Sequence, residues 1–198
     1  MTPLGALALA YLVGAVPVGY LVGRAFGVGD IRQHGSGNIG ATNVLRTLGR
    51  LPAILTLVGD VAKGAAAVAL AAAWSGGDRR VVAASAVAVI AGNCWSVFLR
   101  FRGGKGVATG LGALLWLVPW AVLPAVLVWV GIAVTFRYLS LASVMAAACV
   151  PLGALALGYP GWFTVACLVA AGIVVVRHRD NIARLTAGTE RRVGQASR

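Results

Sequence analysis

Leu51–Trp74 reads LPAILTLVGDVAKGAAAVALAAAW, and this apolar stretch decides the fold. At about 20 residues per crossing, it is long enough to span a bilayer as a helix. Asp60 and Lys63 interrupt it, and a charge at mid-membrane costs on the order of 3 kcal/mol unless it faces the protein interior and is paired. Their i,i+3 spacing places both on one helix face. Two interpretations stay open here: a salt bridge that holds the packing, or one wall of a polar cavity.

The rest of the chain is similarly apolar. Of its 198 residues, 60% are hydrophobic and 11% are charged, and the mean hydropathy is +0.89, whereas a soluble domain has about 25% charged residues. Other apolar segments cover 3–23, 81–99, 106–118, 120–136, 141–158 and 161–176. Because only helices or closed barrels satisfy the backbone in lipid, we predict an all-α integral membrane protein, a bundle of about seven transmembrane helices formed by residues 1–198 as one domain. Segment 106–118 is short, so five spans are the alternative.

The first apolar segment follows the initial Met with no basic region before it and no convincing cleavage site. We therefore interpret it as a retained span and not as a signal peptide.

The distribution of charge predicts the orientation in the membrane. The chain carries 17 Lys and Arg against 5 Asp and Glu, a net charge of +12. In the seven-span arrangement, 14 of these basic residues fall on one side, in 24–50, 100–105, 137 and the tail from 177. Cytoplasmic loops are enriched in Lys and Arg, so we predict the N-terminus outside and the C-terminus in the cytosol. The basic residues fit lipid headgroups and phosphorylated substrates, with no need for nucleic acid.

The scarcity of carboxylates bears on metal chemistry. Hard cations such as Mg²⁺ are held by oxygen ligands, usually carboxylates, and the five acidic residues here are scattered along the sequence. We expect no metal and no cofactor.

A polar, glycine-rich segment precedes Leu51–Trp74. It reads Gly35-Ser36-Gly37-Asn38-Ile39-Gly40-Ala41-Thr42-Asn43-Val44-Leu45-Arg46. Its glycines permit sharp turns and expose backbone N–H groups that form an anion-binding concavity. A helix starting near Thr42 or Asn43 adds its dipole. The segment lacks the Lys-Ser/Thr pair of a Walker A loop. It is interpreted as a phosphate cradle; the alternative is a plain connection between two membrane helices.

Two further polar segments have a similar character. Arg102-Gly103-Gly104-Lys105-Gly106 precedes an apolar helix, and its glycines expose the backbone beside Lys105. The tail begins Arg177-His178-Arg179-Asp180-Asn181, and helical spacing places His178 and Asn181 on one face. Under the predicted topology all three segments meet at the cytosolic side. No catalytic serine motif is present, so an acyl transfer here has to use a substrate hydroxyl as its nucleophile.

These motifs resemble the signatures of the acyl-phosphate:glycerol-3-phosphate acyltransferases, the PlsY family. The first segment resembles the first signature, Phe101–Thr109 the second, and His178–Glu190 the third, in order along nearly the whole chain. Asp60–Gly64 and Tyr138–Ser143 also match family stretches. Before the second signature the family usually has Gly-His followed by Phe-Pro, whereas this chain has Gly92-Asn93 and Trp95-Ser96.

The resemblance implies a reaction. An acyl phosphate donates its fatty acyl group to the 1-hydroxyl of sn-glycerol 3-phosphate, giving lysophosphatidate and inorganic phosphate, the first acylation of bacterial phospholipid synthesis. The expected setting is the cytosolic side of the bacterial inner membrane, with a multi-pass protein functional as a monomer.

The resemblance also implies site residues. Acyl phosphate is expected at Ser36, Gly37, Asn38, Gly40, Ala41, Thr42, Asn43 and Arg46. Glycerol 3-phosphate is expected at Arg46, Gly103, Gly104, Lys105, Ser143, His178 and Asn181. The catalytic residues are expected to be His178, Asn181, Arg46 and Lys105. Either His178 or the substrate's own phosphate serves as general base, and Glu190 is interpreted as a tether of the tail.

Two other classes of protein compete with this interpretation. A membrane transporter of a phosphorylated solute would also use basic, glycine-rich breaks between spans. Against it, the sequence shows no inverted repeat, and its polar segments gather on one side. A structural or assembly membrane protein would not need the first signature.

Overall fold

The computed structural model describes residues 2–194, and the secondary structure of that part is helical, without strands. Arg198, one of the basic residues of the tail, lies outside the described residues. Two 3₁₀ turns lie at Ile31–Gln33 and Val97–Leu99. The α-helices are α1 Pro3–Ala15, α2 Val18–Ala25, α3 Ala41–Leu48, α4 Arg50–Trp74, α5 Arg79–Cys94, α6 Val107–Leu117, α7 Pro119–Phe136, α8 Leu139–Ala156, α9 Gly161–Arg177 and α10 Arg179–Thr186.

The predicted segments all form helices, but they do not all qualify as separate spans. Five stretches are long and apolar enough to cross a membrane: Pro3–Ala25, Arg50–Trp74, Arg79–Leu99, Pro119–Phe136 and Leu139–Ala156. A sixth exists if α9 and α10, which are bent by 60° at His178, count as one. The remaining segment, α6, has only 11 residues. The described residues therefore support five or six candidate spans, and the orientation of the termini stays a prediction.

The first predicted span is broken near its middle. Helix α1 ends at Ala15 and α2 starts at Val18, because Pro17 cannot donate a backbone hydrogen bond and disfavours helical geometry at the residue before it. Val16 accordingly has ψ 115°. The Val18 N–H donates to the Val16 carbonyl at 3.1 Å, which closes a three-residue turn.

Glycines allow close helix packing in the first of two compact units, which ends at Leu117. A side-chain carbon at Gly64 of α4 would lie 2.1 Å from the Thr109 carbonyl oxygen of α6. Likewise, a side-chain carbon at Gly112 of α6 would lie 1.9 Å from the Val61 carbonyl oxygen of α4. Helices α1 and α5 make the same reciprocal contact through Gly14 and Gly92. Such small-residue contacts are typical of helix pairs in membranes.

The second unit begins at Val118 and contains α7 to α10. Pro119 opens α7, and the helix continues through Pro124. Arg137, with φ 63°, ends that helix. The tail returns to this turn, where the Val193 N–H donates to the Arg137 carbonyl at 2.8 Å. The prediction of one domain stays a prediction.

Candidate active site

The first glycine-rich segment is organised around a buried amide. Asn43 is 1% exposed although it lies in the first turn of α3. Its Nδ2 donates to the carbonyls of Asn38 at 2.8 Å, His34 at 3.0 Å and Ile31 at 3.1 Å. Its Oδ1 accepts from the backbone N–H of Ser36 at 2.7 Å and from the Ser36 hydroxyl at 3.1 Å. Because both ends of the amide are occupied by the loop, Asn43 shapes the phosphate cradle from within.

The cradle opens onto the start of α3. Helix α3 begins at Ala41, close to the predicted start, and the Oδ1 of Asn38 accepts from the Gly40 N–H at 2.8 Å. Within residues 2–194, no hydrogen bond engages the N–H groups of Ala41 and Thr42. The side chains of Ser36, Thr42 and Arg46 are exposed. Helix N-terminal N–H groups beside exposed donors make an arrangement suited to an anion.

Two predicted glycines of this cradle have the geometry that motivated their selection. Gly35 and Gly37 have φ of +60° and +70°, which glycine adopts without strain. The Gly37 N–H donates to the His34 carbonyl at 3.0 Å, so Gly37 serves the turn itself. The His34 side chain is exposed.

An ion pair lies just before the cradle. The Nη2 of Arg32 is 2.7 Å from Asp30 Oδ2, and the Nε donates to Asp30 Oδ1 at 2.9 Å. The hydrogen bond from Arg32 holds the pKa of the Asp30 carboxyl below its ordinary value. Arg32 thus has a carboxylate partner inside its own loop.

The second glycine-rich segment is docked onto the end of α5. The Gly104 N–H donates to the Asn93 carbonyl at 2.8 Å, and the Gly103 N–H to the Cys94 carbonyl at 3.2 Å. A side-chain carbon at Gly103 would lie 2.1 Å from the Asn93 carbonyl oxygen. Gly103 and Gly104 were predicted to contact glycerol 3-phosphate, but their N–H groups are used in this docking. This docking favours a role for Gly103 and Gly104 in positioning Lys105, the next residue along the chain.

The two glycine-rich segments of the first unit lie against each other. A side-chain carbon at Gly104 would lie 3.6 Å from Ile39 Cγ1. Ile39 itself is 2% exposed and packs in a small core with Ile31, Val44, Ala53 and Leu99. The sequence predicted two phosphate-binding segments, and the structure brings them into contact.

His178 occupies the bend between α9 and α10. Its ring Nδ1 lies 2.8 Å from the Val174 carbonyl oxygen, and the residue is 3% exposed. Since a carbonyl can only accept, Nδ1 carries a proton, and in the neutral ring the lone pair is on Nε2. The fold thus selects the tautomer in which Nε2 is the basic nitrogen.

Asn181 belongs to a cluster centred on Glu190. The Glu190 carboxylate accepts from Asn181 Nδ2 at 2.6 Å, Ser140 Oγ at 2.7 Å and Arg184 Nε at 2.8 Å. Burial raises the pKa of the Glu190 carboxyl, but the hydrogen bonds from Asn181, Ser140 and Arg184 outweigh it and hold that pKa below its ordinary value. Glu190 therefore joins the tail to α8 and α10 and orients the Asn181 amide, which agrees with its interpretation as a tether.

Ser143 is anchored in the second unit by two contacts. Its hydroxyl donates to the Leu139 carbonyl at 2.8 Å and accepts from Trp129 Nε1 at 3.2 Å. Trp129 was not among the predicted residues, because a lone aromatic residue in an apolar helix carries no local signal.

The acidic, histidine and cysteine side chains are scattered over this part of the chain. Among the described residues, no three His, Cys, Asp or Glu side chains are grouped to hold a metal ion. The expectation of metal-free chemistry stays a prediction.

Comparison with known proteins extends these observations. The family model described as glycerol-3-phosphate acyltransferase matches residues 4–188. A glycerol-3-phosphate acyltransferase of Jannaschia sp. is 50% identical over 190 residues, 96% of this chain and 92% of that protein. One of Laribacter hongkongensis is 46% identical over 197 residues, 98% of each chain.

Two crystal structures extend the match to the fold. Both are of PlsY (YgiH), an integral membrane glycerol 3-phosphate acyltransferase, one in its glycerol 3-phosphate form and one in its lysophosphatidic acid form. Their TM-scores are 0.92 and 0.90 at 39% and 38% identity, and each match covers 98% of this chain and 96% of the other. Because the family model, the relatives and the solved structures agree over nearly the full length, the chain belongs to the glycerol-3-phosphate acyltransferases, a family of integral membrane enzymes that includes PlsY.

Proposed function

We propose that this enzyme transfers a fatty acyl group from acyl phosphate to the 1-hydroxyl of sn-glycerol 3-phosphate. The products are lysophosphatidate and inorganic phosphate, in the first acylation step of bacterial phospholipid synthesis. The observation that carries the proposal is the Asn43-centred cradle, in which the N–H groups of Ala41 and Thr42 begin α3 beside the exposed side chains of Ser36, Thr42 and Arg46. Membership of an enzyme family favours this reaction over the transporter and assembly alternatives.

The residues of the first unit are assigned to phosphate binding. Ser36, Thr42, Arg46 and the start of α3 hold the phosphate of acyl phosphate, and Lys105 holds that of glycerol 3-phosphate. Arg46 also contacts the second substrate. Gly37, Asn38, Gly40, Ala41 and Asn43 contribute the shape and backbone of the cradle.

The residues of the second unit are assigned to the attacking hydroxyl. Ser143 and Asn181 position glycerol 3-phosphate, and Glu190 orients the Asn181 amide. The Nε2 atom of His178 carries the lone pair and can accept a proton from the hydroxyl. Correct placement of two reactants contributes several kcal/mol to lowering a barrier.

The reaction requires no covalent enzyme intermediate. The 1-hydroxyl oxygen attacks the acyl carbon, and the bond from that carbon to the phosphate oxygen breaks with its electron pair leaving on phosphate. The hydroxyl proton goes either to His178 Nε2 or to a substrate phosphate oxygen. A mixed anhydride is already activated, and Arg46 and Lys105 stabilise the developing negative charge.

His178→Gln separates the two general-base alternatives. If His178 takes the proton, its loss lowers kcat by about 10²-fold or more and removes the corresponding step from the pH–rate profile. A variant that keeps most of its kcat assigns the proton to the substrate phosphate.

The proposed orientation in the membrane rests on the distribution of Lys and Arg among the loops. We place the active site on the cytosolic side of the bacterial inner membrane, with the N-terminus outside, and propose that a single chain is sufficient for activity. Lipid bilayer, acyl phosphate and glycerol 3-phosphate are its partners, and nucleic acid is not among them.

The donor is tested directly with radiolabelled glycerol 3-phosphate and purified protein. Palmitoyl phosphate is offered in parallel with palmitoyl-CoA, and labelled lysophosphatidate is separated from substrate. Product from the acyl phosphate alone supports the proposal, whereas product from palmitoyl-CoA alone contradicts it. Accumulation of unmodified glycerol 3-phosphate in vesicles without donor would indicate transport.

A further inference from the structure

Beneath the second glycine-rich segment lies a buried ammonium group with three oxygen partners. Lys63 Nζ lies 2.8 Å from Asp60 Oδ1, and it donates to the Val16 carbonyl at 2.7 Å and to Asn93 Oδ1 at 2.9 Å. The Lys63 side chain is 8% exposed and that of Asp60 is 7%. The ammonium therefore makes two hydrogen bonds and one ion-pair contact with oxygen atoms. The salt bridge considered from the sequence is confirmed, and Asn93 is an additional member of it.

The Val16 carbonyl lies at the break of the first span and accepts from the Val18 N–H as well as from Lys63. Pro17 ends the regular hydrogen bonding of α1, which leaves carbonyls at the break to be satisfied by side chains. The Lys63 ammonium donates to the Val16 carbonyl, and the Ser96 hydroxyl donates to the Ala15 carbonyl at 2.5 Å. Residues of α4 and of the α5–α6 loop thereby hold the break of the first span.

Asn93 connects this buried group to the second glycine-rich segment. Its side chain accepts from Lys63, and its carbonyl accepts from the Gly104 N–H at 2.8 Å. Its Nδ2 would lie 2.9 Å from a side-chain carbon at Gly104. The segment is thus held by the carbonyls of Asn93 and Cys94, and the Asn93 side chain is at the same time held by Lys63. Lys105 is the next residue along the chain.

A neutral acceptor suits this position. A carboxylate at this position would leave the buried group with one net negative charge. The Asn93 amide oxygen accepts a hydrogen bond from the Lys63 ammonium and leaves the Asp60–Lys63 pair neutral overall.

We infer that Asn93 is a positioning residue for the second glycine-rich segment: it couples the Asp60–Lys63 ion pair to Gly104 and so fixes Lys105 for its phosphate. This rests on the proposed function only in the assignment of glycerol 3-phosphate to Lys105. Asn93 acts through the segment and is not itself assigned to the substrate.

Asn93→Leu tests the inference, because leucine is of similar size and cannot accept a hydrogen bond. We expect hydrogen–deuterium exchange to accelerate in the peptide covering residues 100–106, and KM for glycerol 3-phosphate to rise at least about tenfold, the scale of a lost charged hydrogen bond. KM for acyl phosphate and kcat should change much less. Ser85→Ala is the matched control, since Ser85 is buried in the same helix and none of the hydrogen bonds found among the described residues involves its hydroxyl.

The outcomes distinguish the inference from the proposed function. Unchanged exchange in 100–106 overturns the coupling of Asn93 to the segment, whatever the kinetics. Accelerated exchange with unchanged KM overturns the positioning role, and Lys105→Ala then shows whether the assignment of glycerol 3-phosphate to Lys105 has failed. If Asn93→Leu does not fold, Asn93→Ser, which keeps a hydroxyl acceptor, is measured in the same way and is expected to show a smaller effect in the same direction. If Asn93→Ser shows the wild-type rate of hydrogen–deuterium exchange in residues 100–106 and the wild-type KM for glycerol 3-phosphate, the inference is overturned.

Discussion

The cradle combines exposed polar side chains with one buried amide. Ser36, Thr42 and Arg46 are exposed as a binding function requires, whereas Asn43 is buried and bonded on both sides. The sequence identified Asn43 as a polar donor in a glycine-rich stretch. Its partners are the carbonyls of Ile31, His34 and Asn38, which converge only when the loop closes, so no spacing rule could reveal them.

The substitution Asn43→Ala should disrupt the cradle. Three carbonyls lose their donor, and each buried unsatisfied group costs about 1–3 kcal/mol. We expect KM for acyl phosphate to rise about tenfold or more, measured by initial rates in detergent. Leu45→Ala, an exposed change in the same helix, is the control. A wild-type KM in Asn43→Ala would show that the cradle does not depend on this amide.

Glu190 gives a pH-dependent prediction. Its folded-state pKa lies below the ordinary value of 4.5, so its stabilising contribution is complete above that value and is lost as pH falls through the folded-state pKa. At neutral pH, the free energy of unfolding of Glu190→Gln should therefore be lower than that of wild type by about 1–3 kcal/mol. This difference should become smaller only in the acidic range. Thermal unfolding followed from pH 8 to pH 3 measures it; a difference that does not narrow at low pH would be inconsistent with an ionised carboxylate.

Helices were the features that the sequence predicted best. Arg50–Trp74, Val107–Leu117 and Gly161–Arg177 begin and end within two residues of the predicted segments, because unbroken apolar runs between polar loops leave little choice. The break before Val18 lies inside a segment that was predicted as one span, since the apolar character continues through Pro17 and only the local backbone changes. Pro124 and Pro151 lie inside helices α7 and α8, so a proline alone did not mark an end.

Helix packing depends on glycines at α4 and α6. Gly64→Ala and Gly112→Ala each place a methyl group about 2 Å from a backbone carbonyl oxygen of the partner helix, which forces the helices apart at a cost of about 1–3 kcal/mol. We expect a lower thermal midpoint for both. Gly131→Ala in α7 is the control, because its added carbon meets no atom within 4 Å. Equal midpoints for all three variants would argue against close α4–α6 packing.

The molecule as a whole is a membrane enzyme whose family and helical nature follow from its sequence, while its number of spans does not. The described residues give five or six candidate spans where about seven were predicted, because α6 is too short to qualify and α9 is joined to α10 by a bend. Charge distribution is what predicts orientation. A green fluorescent protein fused to the C-terminus should fluoresce, and alkaline phosphatase fused there should be inactive; the opposite pair of results would reverse the topology.

Phosphate release is the measurement that tests the central claim most directly. Purified protein is given palmitoyl phosphate with and without glycerol 3-phosphate, in the presence of EDTA, and phosphate and lysophosphatidate are measured together. The account predicts release that depends on glycerol 3-phosphate, continues in EDTA, and matches lysophosphatidate one for one. Folded protein that releases no phosphate under these conditions, or that releases it equally without glycerol 3-phosphate, would contradict acyl transfer from acyl phosphate.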